Sequence, residues 1–234
     1  MAISGKELID GLKEVISNLP KKDSINFVEV IKRADKNLKA SSNISIETGW
    51  FGAWITAFSP HEVDEQNIDV HMVARLERDW DQWKIDLVAA HPSRKHILEE
   101  AFRLHEEERY IASIPLFFSQ ADGICADYFG KNYFSEAGFD EVVKLFSQTQ
   151  YGDQEHLIAV FKEENKGGVK TVIRRQTSVV TDSDKFPNRH GILHGVKGHM
   201  NYGNKTNSLK AYSFLLNISF VISIIEEHSQ KGSN

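Results

Sequence analysis

Cysteine is almost absent from this chain: Cys125 stands alone among 234 residues. An internal disulfide framework is therefore excluded, and the composition fits a reducing cytoplasm. Cys125 lies in an apolar stretch and reads as a small buried hydrophobe. No uninterrupted apolar run reaches the length of a bilayer span. The nearest, residues 212–225, is broken by Ser213, Asn217, Ser219 and Ser223. The opening residues, Met1 to Glu7, lack the apolar core of a signal peptide. The expectation is a soluble cytoplasmic protein with no membrane partner. Also missing are a Gly-x-Ser-x-Gly elbow and a glycine-rich loop ending in Lys-Ser or Lys-Thr, so serine-nucleophile and ATP-driven chemistry have no motif to rest on. An excess of basic charge is lacking too: 28 Lys and Arg face 33 Asp and Glu, a net charge of −5. That argues against indiscriminate coating of nucleic acid and leaves room for a local basic site.

What is present is helical periodicity. Leu8, Leu12, Val15 and Ile16 predict a helix over residues 4–18, and a second, capped by Asp23 or Ser24, runs to Leu38. Residues 44–58 form the one strand-like or irregular piece. Within it, Trp50-Phe51-Gly52-Ala53-Trp54 reads as core packing, with base stacking as the alternative. Ser59-Pro60-His61-Glu62 combines an N-cap, a first-turn proline and a capping-box glutamate. The helix it opens is predicted to run to Ala90, with Val70, Val73, Leu76, Trp80, Trp83, Leu87 and Val88 on one face. Ser93 begins another, with Ile97, Ala101, Leu104 and Ile111 inward. Glu106, Glu107 and Glu108 are consecutive and point in different directions, so they read as a solvated face rather than a chelate. Pro115 suits a helix start or kink, ahead of a core face through Phe117, Ala121 and Cys125. Shorter helices are predicted over residues 139–146, 153–164 and 169–180. Thr206 or Asn207 is expected to cap a long last helix. The fold class is all-α.

Ahead of that last helix stands Phe186-Pro187-Asn188-Arg189-His190-Gly191-Ile192-Leu193-His194-Gly195. Arg189 offers a permanent, planar, multi-donor cation suited to phosphate oxygens. His194 can give and take a proton near neutral pH. Five positions apart on a regular helix, the two side chains point about 140° apart. Either the backbone is irregular here, as Gly191 and Gly195 permit, or two copies of the segment face each other across a dimer.

The residues from Asn188 to Gly195, followed by Tyr202-Gly203 and an apolar helix, resemble the HEPN superfamily of small helical ribonucleases. The signature of that family is an Arg, four to six residues and then a His, commonly with a polar residue after the Arg; here that residue is His190. The upstream Ile114-Pro115-Leu116-Phe117-Phe118-Ser119-Gln120-Ala121-Asp122-Gly123 is similar to the helix preceding the signature in HEPN proteins linked to abortive infection. The resemblance implies a HEPN-like helical domain over residues 91–234, after a mainly helical N-terminal region, 1–90, of unknown role. It further implies a metal-independent endoribonuclease of toxin or antiviral-defence type, without cofactor, whose composite site forms in a homodimer. An antitoxin or sensor partner would restrain it.

In that reading Arg189 binds the scissile phosphate and His194 serves as general acid or base. Asn188 and His190 support them, and Tyr202 closes the site. A carboxylate among apolar neighbours is costly unless paired, which makes Asp122 a candidate for orienting Arg189 or His194; a structural cap or surface position is the equal alternative. Lys170, Arg174 and Arg175 form a basic cluster that could carry an RNA backbone, or simply face solvent. Two other readings stay open. One is a HEPN-like module that binds nucleotide, RNA or a partner without cleaving. The other is a zinc site from His190, His194 and His199, which the intervening glycines and the lack of a Glu or Cys companion disfavour.

Overall fold

The computed structural model describes residues 36, 48–51, 55, 66–149 and 187–231. The helices expected over 4–18, 153–164 and 169–180, all of that over 23–38 except the helical Lys36, the start at Ser59, and with them Lys170, Arg174 and Arg175, lie outside the described residues. Of the described residues, 79% are helical and none is in a strand, so the chain is predominantly α. The helices are α1 (Ile68–Arg78), α2 (Trp80–Ala90), α3 (Lys95–Glu106), α4 (Tyr110–Phe129), α5 (Glu136–Ser147), α6 (Arg189–Leu193) and α7 (Lys205–Lys231).

α4 and α7 are the centre of the bundle. They run in the same direction: Ser113 meets Ser208 at 2.8 Å near their N-terminal ends, and Tyr128 lies beside Glu226 and Ser229 near their C-terminal ends. α3 returns antiparallel to α4, with Arg94 bound to Asp127 at one end and His105 near Ser113, through Ser208, at the other. α2 packs antiparallel to α3, since Lys84 and Trp80 at its start both reach Glu106 at the end of α3. α1 runs antiparallel to α7, with Asp69 facing Lys210 and Glu77 facing Lys205. Phe117, Phe118, Tyr212 and Phe214 are fully buried between α4 and α7.

Trp50 and Phe51 are buried in this same core rather than offered for base stacking. The Phe51 ring packs edge-on to Phe214 at 4.8 Å, and its backbone N–H donates to Ser213 Oγ. Described residues on both sides of position 90 thus share one hydrophobic cluster.

Four local expectations differ from the structure, each for a physical reason. The helix expected to run unbroken to Ala90 is interrupted at Asp79. From there Trp80 turns inward against Phe102, His105 and Tyr212. α1 consequently buries Ile68, Met72 and Leu76, and Val70 is 69% exposed. The helix expected to carry Ile111 inward ends at Glu106, because Glu108 takes a left-handed backbone at φ 58. Ile111 falls on α4 and is exposed. Pro115 neither starts α4 nor breaks it: it is the sixth residue of the helix. Its missing N–H leaves the Ile111 carbonyl without the usual i+4 donor, and the Tyr202 hydroxyl donates to that carbonyl at 3.1 Å. Finally, the side chain capping α7 is Asn204, which accepts the Asn207 N–H at 2.8 Å. Neither Thr206 nor Asn207 is the cap.

By length and composition α7 is apolar enough to cross a membrane, with a mean hydropathy of 1.6 over its best window. Of that window 83% is buried inside the protein, which gives the apolarity a structural reason. A polar thread crosses the core beside it. His105 Nδ1 meets Ser208 Oγ at 2.8 Å, Ser208 meets Ser113, and Ser113 reaches the Tyr110 carbonyl. Burial, with the charge of Lys205 adding to it, pushes the His105 imidazole down to about 4.

Candidate functional site

The segment carrying Arg189 and His194 is a single capped helical turn whose ends are fixed by its sequence. Asn188, fully buried, is the N-cap: its side-chain oxygen accepts the Gly191 N–H at 2.8 Å. At the other end Gly195 adopts φ 62. Val196 N–H then reaches back to the Gly191 carbonyl and Gly195 N–H to that of Ile192, the paired bonds of a Schellman stop. The turn is thus regular up to His194, and the irregularity is confined to Gly195.

A regular turn separates Arg189 from His194, as the 140° argument requires. No hydrogen bond joins the two side chains within the chain. His190 is the residue brought to His194 instead: four positions apart, their rings lie 4.4 Å centroid to centroid, tilted by 52°. Both histidines are exposed. His199, by contrast, is buried. It packs so closely under the turn that a Cβ on Gly191 would run into its imidazole. Among the described residues no three His, Cys, Asp or Glu side chains are grouped to hold a metal ion. The zinc reading therefore fails on geometry, since His199 points into the protein while His190 and His194 lie outside.

Arg189 faces α4 and the turn that follows it. Its guanidinium carbon sits 4.5 Å over the Phe134 ring, and Nη2 is 3.9 Å from Asp122 Oδ2, longer than a hydrogen bond. Asp122 does more than face Arg189. Its carboxylate accepts the Phe134 N–H at 3.2 Å and the Asn132 side-chain amide at 3.0 Å. One carboxylate on α4 therefore pins the turn between α4 and α5 and sets the aromatic ring on which the arginine lies. Gly130, left-handed at φ 67, ends α4, and Ser135 caps α5 by accepting the Gly138 N–H, so both flanks of the turn are held.

Phe134 is a site residue that the sequence reading missed. It belongs to no motif, and only the fold brings it under Arg189. Tyr202 is placed differently from the expectation that it closes the site: its hydroxyl is engaged by the Ile111 carbonyl. Cys125, one turn after Asp122, is buried, and burial together with the Asp122 charge pushes its thiol up to about 12, so it is no nucleophile at neutral pH.

The surroundings suit an anion. From Pro187 to Ile225 the chain contains no Asp or Glu. Of the cations there, Lys205 is paired with Glu77 and Lys210 is buried against Asp69. Lys197 is exposed beside the histidines, and Arg189 faces Asp122 at 3.9 Å. Compared with known proteins, the chain matches no family model, no curated protein and no solved structure.

Proposed function

We propose that this protein is a metal-independent endoribonuclease of the HEPN type, toxin-like or antiviral, acting as a homodimer and restrained by an antitoxin or sensor partner. The observation that carries the reading is the capped turn itself. It presents two exposed imidazoles and a positioned guanidinium within one acid-free stretch.

The chemistry is transesterification. A base, His194 or the His190 beside it, removes the proton of the ribose 2′-hydroxyl, and the 2′-oxygen attacks the adjacent phosphorus. The P–O5′ bond breaks, and a protonated imidazole delivers a proton to the departing 5′-oxygen. The products are a 2′,3′-cyclic phosphate and a 5′-hydroxyl. Arg189 binds the non-bridging oxygens as their charge grows. DNA has no 2′-hydroxyl and is spared. Because Arg189 and His194 diverge on one turn, a second copy supplies the opposing Arg or His.

A second reading has its own observation. Arg189 is already occupied by Asp122 and Phe134 within its own chain, which also suits a module that binds RNA, nucleotide or a partner without cutting. Cleavage of a mixed RNA pool in EDTA separates the two. Wild-type cleavage to cyclic phosphate ends, abolished by Arg189→Ala and by His194→Ala in folded protein, is expected. RNA binding with no cleavage would leave the binding module.

A further inference from the structure

A cavity of about 360 Å³ opens between the C-terminal ends of α2, α4 and α7. Its size is at the small end of the roughly 300–1,000 Å³ typical of small-molecule sites. None of the residues of the Arg189 turn lines it. Ile124 and Ile222, both buried, form an apolar floor. His91, Asp127, Tyr128, Ser219, Ser223 and Glu226 supply polar or aromatic groups on its walls.

The polar inventory leans toward acceptors. Ser223 donates its hydroxyl hydrogen to the Phe220 carbonyl at 2.8 Å, so only its lone pairs face outward. His91 Nε2 and Ser219 Oγ share one hydrogen bond at 2.8 Å, which leaves one hydrogen of the pair and the Ser93 hydroxyl as the neutral donors. Arg94, the nearby cation, is spent on Asp127 at 2.7 Å and on Gln120. Among the described residues no cation or hydrogen-bond donor reaches Glu226, an exposed residue and thus a carboxylate on the rim. Partial desolvation at the rim raises the Glu226 carboxyl above its ordinary value, and burial with the charge of Arg94 holds the His91 imidazole down to about 4. His91 is therefore neutral at pH 7, the Arg94–Asp127 pair cancels, and the cavity carries one uncompensated negative charge beside a tyrosine ring.

We propose that this cavity is a binding site for a small organic cation, an ammonium or guanidinium on a short alkyl stem, with Glu226 as its counter-ion. An ammonium brings three donors and no acceptor, the complement of walls that offer acceptors. The Tyr128 ring adds a face for the cation, and the apolar floor takes the stem. A carboxylate ligand finds no free cation there and meets the Glu226 charge, with only neutral donors to offset it. The proposal is independent of the ribonuclease reading.

The test is calorimetric titration of the full chain with butylamine, 1,4-diaminobutane and sodium butyrate. Both amines are expected to bind and butyrate not to. Glu226→Gln should weaken amine binding about tenfold, the loss of one charge-assisted contact. Glu227→Gln, at a neighbouring position that does not line the cavity, should leave it unchanged. Thermal melts establish that both variants are folded. No amine binding at millimolar concentration, equal binding of butylamine and butyrate, or unaltered binding in folded Glu226→Gln would each overturn the proposal.

Discussion

At the scale of the residue, Gly191 is decided by packing rather than by backbone freedom. It is helical, and alanine in its place would gain roughly 0.8–1 kcal/mol from helix propensity. A Cβ there, however, meets the imidazole of His199, which is buried and has nowhere to move. Overpacking of a buried contact typically costs about 1–3 kcal/mol. The net expectation is destabilisation, so Gly191→Ala should lower the urea midpoint through a clash, whereas a substitution at Gly130 or Gly195 meets no neighbour and is strained by the left-handed backbone instead. A midpoint unchanged or raised in Gly191→Ala would show that His199 yields. Asp122 is a second residue with two partners to lose. Asp122→Ala strips the acceptor from the Phe134 N–H and from Asn132. Asp122→Asn keeps one acceptor oxygen, for the Phe134 N–H, and loses the charge facing Arg189 together with the second oxygen that Asn132 donates to. Chemical denaturation should rank alanine as the more damaging by about 1–3 kcal/mol. In the ribonuclease reading, asparagine should impair cleavage while costing less stability than alanine.

At the scale of the element, α4 tolerates a proline in its sixth position because another element supplies the donor that the proline removes. The Tyr202 hydroxyl bonds the Ile111 carbonyl that Pro115 leaves open. Tyr202→Phe should cost about 1 kcal/mol. Pro115→Ala restores an N–H to that carbonyl, so the same Tyr202→Phe change should cost less in its presence. A double-mutant cycle of denaturation free energies reads the coupling directly; additivity would mean that the two residues act separately.

At the scale of the whole molecule, two predictions concern pH and association. His105 is buried with its pKa near 4, against 6.5 for an ordinary imidazole. Between those values the unfolded chain binds the proton and the folded one does not. Stability is therefore full above about pH 6.5 and falls as pH drops toward 4, at about 1.4 kcal/mol per pH unit for a group so shifted. Thermal melts from pH 7 to 4.5 should show the loss, and His105→Gln should flatten the slope. Association rests on the proposed composite site. Leu193, 44% exposed, lies within the Arg189–His194 turn, and Met200, 69% exposed, follows it. Aspartate at both positions should give a monomer by light scattering and, with it, abolish RNA cleavage. Cleavage by a monomeric double variant would remove the second copy from the mechanism.

Periodicity and local chemistry were enough for the all-α class, for the last helix, and for most of the residues facing inward, because side chains recurring every 3.6 positions announce a buried stripe whatever it packs against. The divergence of Arg189 and His194 was legible as well, because it follows from helix geometry alone. The cap was not: Asn188, expected to support the phosphate chemistry, is buried and holds the Gly191 N–H. Other features depend on contacts between distant positions. Trp80 breaks a helix to reach Tyr212, Tyr202 repairs α4 from across the chain, and Asp122 with Phe134 holds Arg189. Glu226 lies on the rim of a cavity walled by α2, α4 and α7. Long sequence distances separate most of these groups, and no local pattern encodes which of many buried neighbours will meet. The sequence by itself determined the helical character and the divergence of Arg189 from His194; the tertiary structure decided what holds the arginine, which histidine joins His194, and where an uncompensated carboxylate lines an opening.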